Sequence, residues 1–208
     1  MRVISGSARG RKLKSVPGDT TRPILDRVKE SLFNIVSEEI SGSRWLDLFA
    51  GTGQVGIEAL SRAADEVVFV DMTKAAIRTI YDNLKHCQLE ERARVLQSDS
   101  FAFLDRIASG QSHQDPFDFI FVAPPQYLDL WKKSLEKIDA NPDKFLLEYG
   151  QVIVQIDPHE YFKDDDGGWR PTNLNLVDKR KYGRTLILFY ELSEQEDSDE
   201  QEELNDSI

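Results

Sequence analysis

The string Gly51-Thr52-Gly53-Gln54-Val55-Gly56 sets three glycines at the spacing G-x-G-x-x-G. Glycines so placed allow a tight turn and close approach of the backbone to a ligand. Asp71 stands 20 residues beyond Gly51, at the end of the run VVFVD, where a carboxylate can accept both hydroxyls of a ribose. These features alone suit a dinucleotide as well as a methyl donor. Asp47, just before the loop, separates the two. A carboxylate there opposes a pyrophosphate but attracts the sulfonium and amino groups of S-adenosylmethionine. Ser98-Asp99-Ser100 follows another apolar run, and Asp99 can accept an adenine exocyclic amine, cap the next helix, or do both.

The run FDFIFV leads into Ala123-Pro124-Pro125-Gln126-Tyr127. Two prolines at a strand's carboxyl end fix a rigid turn and leave bare carbonyls. Such a turn suits the methylation of an exocyclic amine, whose lone pair is delocalised into the ring. Acceptors that hold the amine hydrogens steer the lone pair toward the methyl group, so orientation supplies much of the catalysis. A neighbouring aromatic can clamp the base by stacking. No strong general base is needed. His86, His113 and His159 fall in no catalytic pattern and receive no role, and no metal site is expected.

Short apolar runs at 45–49, 66–70, 93–97, 117–122 and 151–156 read as buried parallel strands. Helical stretches near 54–63, 73–86, 100–108 and 127–138 lie between them. This alternation predicts an α/β fold with a Rossmann-like, doubly wound, mostly parallel sheet. The end differs: TNLNLVDKRKYGRTLILFYEL predicts an antiparallel hairpin turning near Tyr182-Gly183. Residues 2–14 predict a short hairpin or extended arm. After PGDTTRP, Thr21 or Asp26 is expected to cap a helix whose apolar face is Val28, Leu32, Phe33, Ile35 and Val36.

The net charge of −11 is unevenly spread over the 208 residues. From Glu191 to Ile208 there are nine acids and no Lys or Arg, so the rest carries only −2. The first 30 residues hold eight bases against three acids. A basic front favours contact with RNA phosphates over a merely solvated surface. The acidic end has little to bury and is expected to be a disordered, solubilising tail. The expected organisation is a basic arm and helix over 1–40, a methyltransferase domain over 41–192 and a tail over 193–208. A lone Cys87 excludes an internal disulfide and fits a reducing compartment. No apolar run approaches the roughly 20 residues of a membrane span, so no membrane association is expected. A cytoplasmic, bacterial, monomeric protein is expected, with a plastid origin left open for a trimmed chain.

Together RVISGSARGRKL, TRPILDRVKESLFN, DLFAGTGQVGIEALSRAA and FDFIFVAPP resemble the RsmD-type guanine-N2 methyltransferases of bacterial small-subunit ribosomal RNA, almost to Leu192. The resemblance implies an S-adenosylmethionine site at Asp47, Phe49, Ala50, Gly51, Thr52, Gly53, Gly56, Asp71, Met72, Asp99 and Ser100. It implies an arm facing RNA through Arg9, Arg11, Lys12, Arg22 and Arg27, and a partner in the assembling small ribosomal subunit. It places catalysis on Ala123, Pro124, Pro125, Gln126 and Tyr127. One departure stands out. The family has Asp or Asn at the place of Ala123, and an aromatic at the place of Gln126. One acceptor for the target amine is thereby lost. The Pro124 carbonyl remains, and Gln126 or a displaced Tyr127 is left to substitute. Methylation of adenine N6, or a non-catalytic assembly factor that keeps the donor site, stand as alternatives.

Overall fold

The computed structural model describes residues 1–18, 24–112, 114–162 and 170–193. Seven strands form one sheet: β1 (Arg44–Asp47), β2 (Glu66–Asp71), β3 (Ala93–Gln97), β4 (Phe117–Val122), β5 (Leu146–Ile156), β6 (Leu174–Tyr182) and β7 (Thr185–Leu192). Their order is β3-β2-β1-β4-β5-β7-β6. The pairs from β3 through β5 are parallel, and β7 runs antiparallel between β5 and β6. The order reverses between β1 and β4, and the crevice beyond that switch point is where such sheets bind ligands. Strands β1, β2 and β4 read as nearly continuous apolar runs because helices cover both faces. The edge strand β6 is mostly exposed and rich in charge, which discourages pairing with another chain.

One face is covered by α1 (Asp26–Ile35), α2 (Gln54–Ser61) and α3 (Lys74–Cys87). Phe33 stacks on Trp45, and Trp45 on Phe119, at centroid distances of 5.3 and 4.5 Å. Each such pair contributes about 0.5–1.5 kcal/mol beyond the burial of its area. The opposite face carries α4 (Ser100–Ala108), α5 (Leu130–Asp139) and the short α6 (Pro158–Phe162), with Phe103, Leu104, Trp131 and Leu135 buried against the sheet.

The arm is the expected hairpin, with Arg2 bridged to Lys12 in antiparallel pairing. Val3, Ala8 and Leu13 enter the same core as α1, α2 and the sheet. Two expectations for α1 are corrected. Leu25 is the N-cap, without a side-chain cap bond, so Asp26 falls in the first turn; Thr21 lies outside the described residues. Ile35 is 42% exposed while Lys29 is fully buried, so the inner face is Val28, Lys29, Leu32, Phe33 and Val36. The reason is a polar network, described below, that draws Lys29 inward. The stretch expected near 127–138 becomes a turn followed by α5, because Tyr127 and Asp129 take left-handed backbone angles, φ 64° and 52°. The tail beyond Ser193 lies outside the described residues.

Candidate active site

Every parallel strand ends at the same edge, which gathers Asp47, Asp71, Asp99 and the Pro-Pro loop around the switch point. Asp47 closes β1 in register with Phe121 of β4, two residues before Ala123. It is 3% exposed, and its Oδ2 accepts the Gly56 N–H at 3.2 Å. Burial pushes its carboxyl up to about 7, against the Gly56 hydrogen bond, with the negative Asp71 adding to the rise. Its charge therefore has little compensation inside the protein, and a cationic ligand would supply it.

Between Asp47 and α2 the chain folds back sharply. Gly51 has φ +53° and Gly53 has φ +73°, angles at which a side chain is strained. A Cβ on Gly51 would meet nothing within 4 Å, so the turn there opens to space. A Cβ on Gly56 would lie 2.3 Å from the Phe69 ring, so this glycine lets α2 sit directly on β2. Thr52 is held from behind: its carbonyl accepts the Asn83 amide at 3.0 Å, and its hydroxyl reaches Met1 Sδ at 3.5 Å. Ala50 donates to the Val70 carbonyl, and Phe49 meets Phe101 edge-on at 6.2 Å.

Asp71 Oδ2 accepts the Gly51 N–H at 2.9 Å, and Oδ1 accepts the Thr73 N–H and hydroxyl at 2.8 and 3.0 Å. A carboxylate offers about four acceptor directions. Three are engaged, one of them by a hydroxyl that can rotate away to admit a ribose. Met72 follows, 66% exposed. Asp99 caps α4 by accepting the Ala102 N–H at 2.9 Å, and its side chain remains exposed. Ser100 is buried, its hydroxyl donating to the Leu48 carbonyl at 2.7 Å, so it ties α4 to the loop after β1. These groups fit an adenosine-bearing cation: acids for ribose and amine, an uncompensated carboxyl for positive charge, and an open backbone turn between them.

On the other side of the switch point, Pro124 is buried while Pro125, Gln126 and Tyr127 are exposed. Tyr127 is 60% exposed, and its hydroxyl faces Asp157 and Arg184. Asp157 follows β5 directly, is 2% exposed, and accepts the His159 N–H at 3.0 Å while pairing with His159 Nδ1 at 2.7 Å. Burial would push the Asp157 carboxyl up. The His159 backbone and ring and the Tyr127 hydroxyl outweigh it and hold the carboxyl below its ordinary value. Arg184 Nε, at the turn between β6 and β7, stands 3.9 Å from Asp157. The closing hairpin thus reaches the Pro-Pro loop. Sequence reasoning assigned nothing to Asp157, although it ends a parallel strand just as Asp47 does, and that position was the available signal.

The arm is seated by charges that sequence reasoning had also left unassigned. Glu58, the one charged residue of α2, is fully buried and accepts the Ile4 and Ser5 N–H groups at 2.8 and 2.9 Å. Lys29 Nζ pairs with Glu58 at 3.1 Å and donates to the Arg2 carbonyl at 2.7 Å. Arg62 Nε adds a fourth contact to Glu58 at 2.9 Å. A charged residue inside an otherwise uncharged helix was the signal for this network. Asn83 binds Lys14 backbone atoms on one side and the Thr52 carbonyl on the other, linking arm and glycine loop.

Of the expected RNA contacts, Arg9, Lys12 and Arg27 are exposed. Arg11 instead donates to the His86 carbonyl and to Gln88 Oε1, closing the end of α3. Arg22 lies outside the described residues. Lys12, Lys14, Lys85 and His86 surround a shallow open cleft beside Asp82.

A mostly parallel sheet in this order, closed by an antiparallel hairpin and carrying a glycine loop and acids at its carboxyl edge, defines the Rossmann-like class of methyltransferases. The chain belongs to the RsmD family, whose model, described as "Conserved hypothetical protein 95", matches residues 1–191. It is 39% identical over 190 residues to "Putative rRNA methyltransferase YlbH" of Bacillus subtilis (strain 168), covering 91% of this chain and 98% of that one. It is 37% identical over 142 residues to "Ribosomal RNA small subunit methyltransferase D" of Haemophilus influenzae, covering 68% and 72%. Among solved structures, "Putative methyltransferase yhhF from Escherichia coli" superposes with a TM-score of 0.75 at 30% identity, covering 94% and 99%.

Proposed function

We propose that this chain moves the methyl group of S-adenosylmethionine to the exocyclic N2 of a guanine in small-subunit ribosomal RNA. The observation that carries the reading is the placement of the buried, uncompensated Asp47 one strand away from the Pro-Pro loop. A cation held by the first is then within reach of an amine held by the second. Asp71 would take the ribose hydroxyls, Asp99 the adenine amine, and Asp47 the positive end; bound there, the donor supplies an electrophilic methyl group. The Pro124 carbonyl accepts one hydrogen of the target amine, and the exposed Tyr127 ring offers a face for the base. The guanine must be splayed from its helix to enter, as specific RNA recognition generally requires. The relatives' printed names support ribosomal RNA as substrate, and the exposed bases of the arm suit its phosphates.

The test is transfer of labelled methyl groups to small-subunit particles purified from a strain lacking this family's enzyme, followed by nucleoside mass spectrometry. N2-methylguanosine at a single position is the expected product. N6-methyladenosine would move the chain to another amine target, and donor binding without transfer would make it an assembly factor.

A further inference from the structure

A polar side chain stands one strand away from Ala123. Strands β4 and β5 are parallel and in register at Val122 and Val154, so the next pair along is Ala123 and Gln155. Side chains alternate between the faces of a sheet. Phe119 and Phe121 of β4 and Ile153 of β5 lie in the core on the α1–α2–α3 side, and Ala123 packs against that same core. Gln155 follows Ile153 by two residues and so stands on that side. Neighbouring strands are about 4.8 Å apart, a gap that a glutamine side chain can span. A carboxamide at 155 therefore reaches the space a longer side chain at 123 would fill. The Gln155 Oε1 is buried and finds no hydrogen-bond donor among the described residues. Buried polar atoms are almost always paired, and an exception calls for an explanation.

We infer that Gln155 supplies the second hydrogen-bond acceptor for the target amine, beside the Pro124 carbonyl, in place of the side chain missing at Ala123. The inference rests on the reading of the chain as an amine methyltransferase. With one hydrogen held by Pro124 and the other by Gln155, the nitrogen lone pair is turned out of the base ring. The nitrogen then forms its bond to the methyl carbon as the carbon–sulfur bond breaks and its electron pair returns to sulfur. The surplus proton leaves the nitrogen for solvent.

Three variants test this, each measured for donor affinity by calorimetry, thermal midpoint, and kcat and KM on small-subunit particles. Gln155→Leu keeps the volume and removes the acceptor. Its kcat should fall about 100- to 1,000-fold, the range found when one positioned hydrogen-bonding group is deleted from an active site. Its donor affinity and particle KM should stay within about threefold, and its thermal midpoint should hold or rise, since an unpaired buried oxygen is removed. Gln155→Glu retains an acceptor and should keep most of the activity. The double variant Gln155→Leu with Ala123→Asn should regain most of the lost kcat, a recovery that a merely structural role for Gln155 would not produce. Wild-type kcat in Gln155→Leu, equal loss in Gln155→Glu, or a double variant that binds donor without recovering would each overturn the inference. If the unsubstituted chain transfers no methyl group to any amine, the underlying reading fails and this inference with it. If it transfers and Gln155→Leu is unimpaired, the inference fails alone.

Discussion

With the donor's positive end at Asp47, as proposed, one residue couples stability to ligand binding. An aspartate in an unfolded chain titrates near 4, whereas burial raises this one to about 7 in the fold. Between those values the folded state keeps its proton after the unfolded state has lost it. The folded protein therefore loses stability as pH rises through that window, and the loss is complete above about pH 8. Donor binding should follow the opposite course, because a cation favours the ionised carboxylate. We expect Asp47→Asn to raise unfolding stability by about 1–3 kcal/mol near pH 8 while flattening the pH dependence of donor affinity. Thermal unfolding and calorimetry at about pH 6 and pH 8 check both halves. A donor affinity that still climbs with pH in the variant would place the titrating group elsewhere.

At the scale of elements, α2 is the hub. Its N-terminus begins at the glycine loop, Gly56 brings it against β2, and Glu58 anchors both α1 and the arm. Lys29 is held below its ordinary value by burial, which the Glu58 carboxylate partly offsets. Removing one member of a buried ion pair costs about 3–5 kcal/mol, because the partner is left uncompensated. Glu58 also serves two backbone N–H groups and Arg62, so Glu58→Leu should lower stability by about that amount. It should also speed tryptic cleavage at Arg9, since the arm loses its seat. An unchanged midpoint with an uncleaved arm would mean that apolar contacts alone hold it. Space explains the arm's path as well: a Cβ on Gly6 would fall 1.7 Å from the Ser61 carbonyl oxygen.

For the whole molecule, the charge pattern matters more than the net charge. The arm sits beside the glycine loop, and the β6–β7 hairpin, with Arg184 at its turn, sits beside the Pro-Pro loop. Basic groups thus stand on both sides of the carboxyl edge. Replacing the exposed Arg9 and Lys12 by alanine should weaken binding to RNA particles and lower the salt slope of log K by about 2. Arg11→Ala should instead destabilise α3 and leave the slope nearly unchanged, because its guanidinium closes the end of that helix. Titrations at several salt concentrations separate the two. Equal slopes in the Arg9/Lys12 variant and the parent would remove the arm from the RNA-facing surface.

The glycine loop, Asp71, Asp99 and the Pro-Pro turn were legible in the sequence because each depends on local rules. Turns require glycine or proline, and acids at strand ends fall into place once the strands are recognised. The alternation of apolar runs and the terminal hairpin were legible for the same reason, since periodicity is a short-range property. Contacts between elements distant in the chain were not. Ile35 and Lys29 exchanged their expected places on α1 because Glu58, almost thirty residues further on, draws an ammonium group inward. Arg11 donates to the end of α3, a contact set by residues more than seventy positions further along the chain. Asp157 and Gln155 joined the neighbourhood of the Pro-Pro loop only through the pairing of β4 with β5. Local chemistry thus determined where the glycine loop begins and what it suits. Only the tertiary structure decided which distant polar groups share its crevice, because pairing and burial depend on neighbours that the linear order keeps apart.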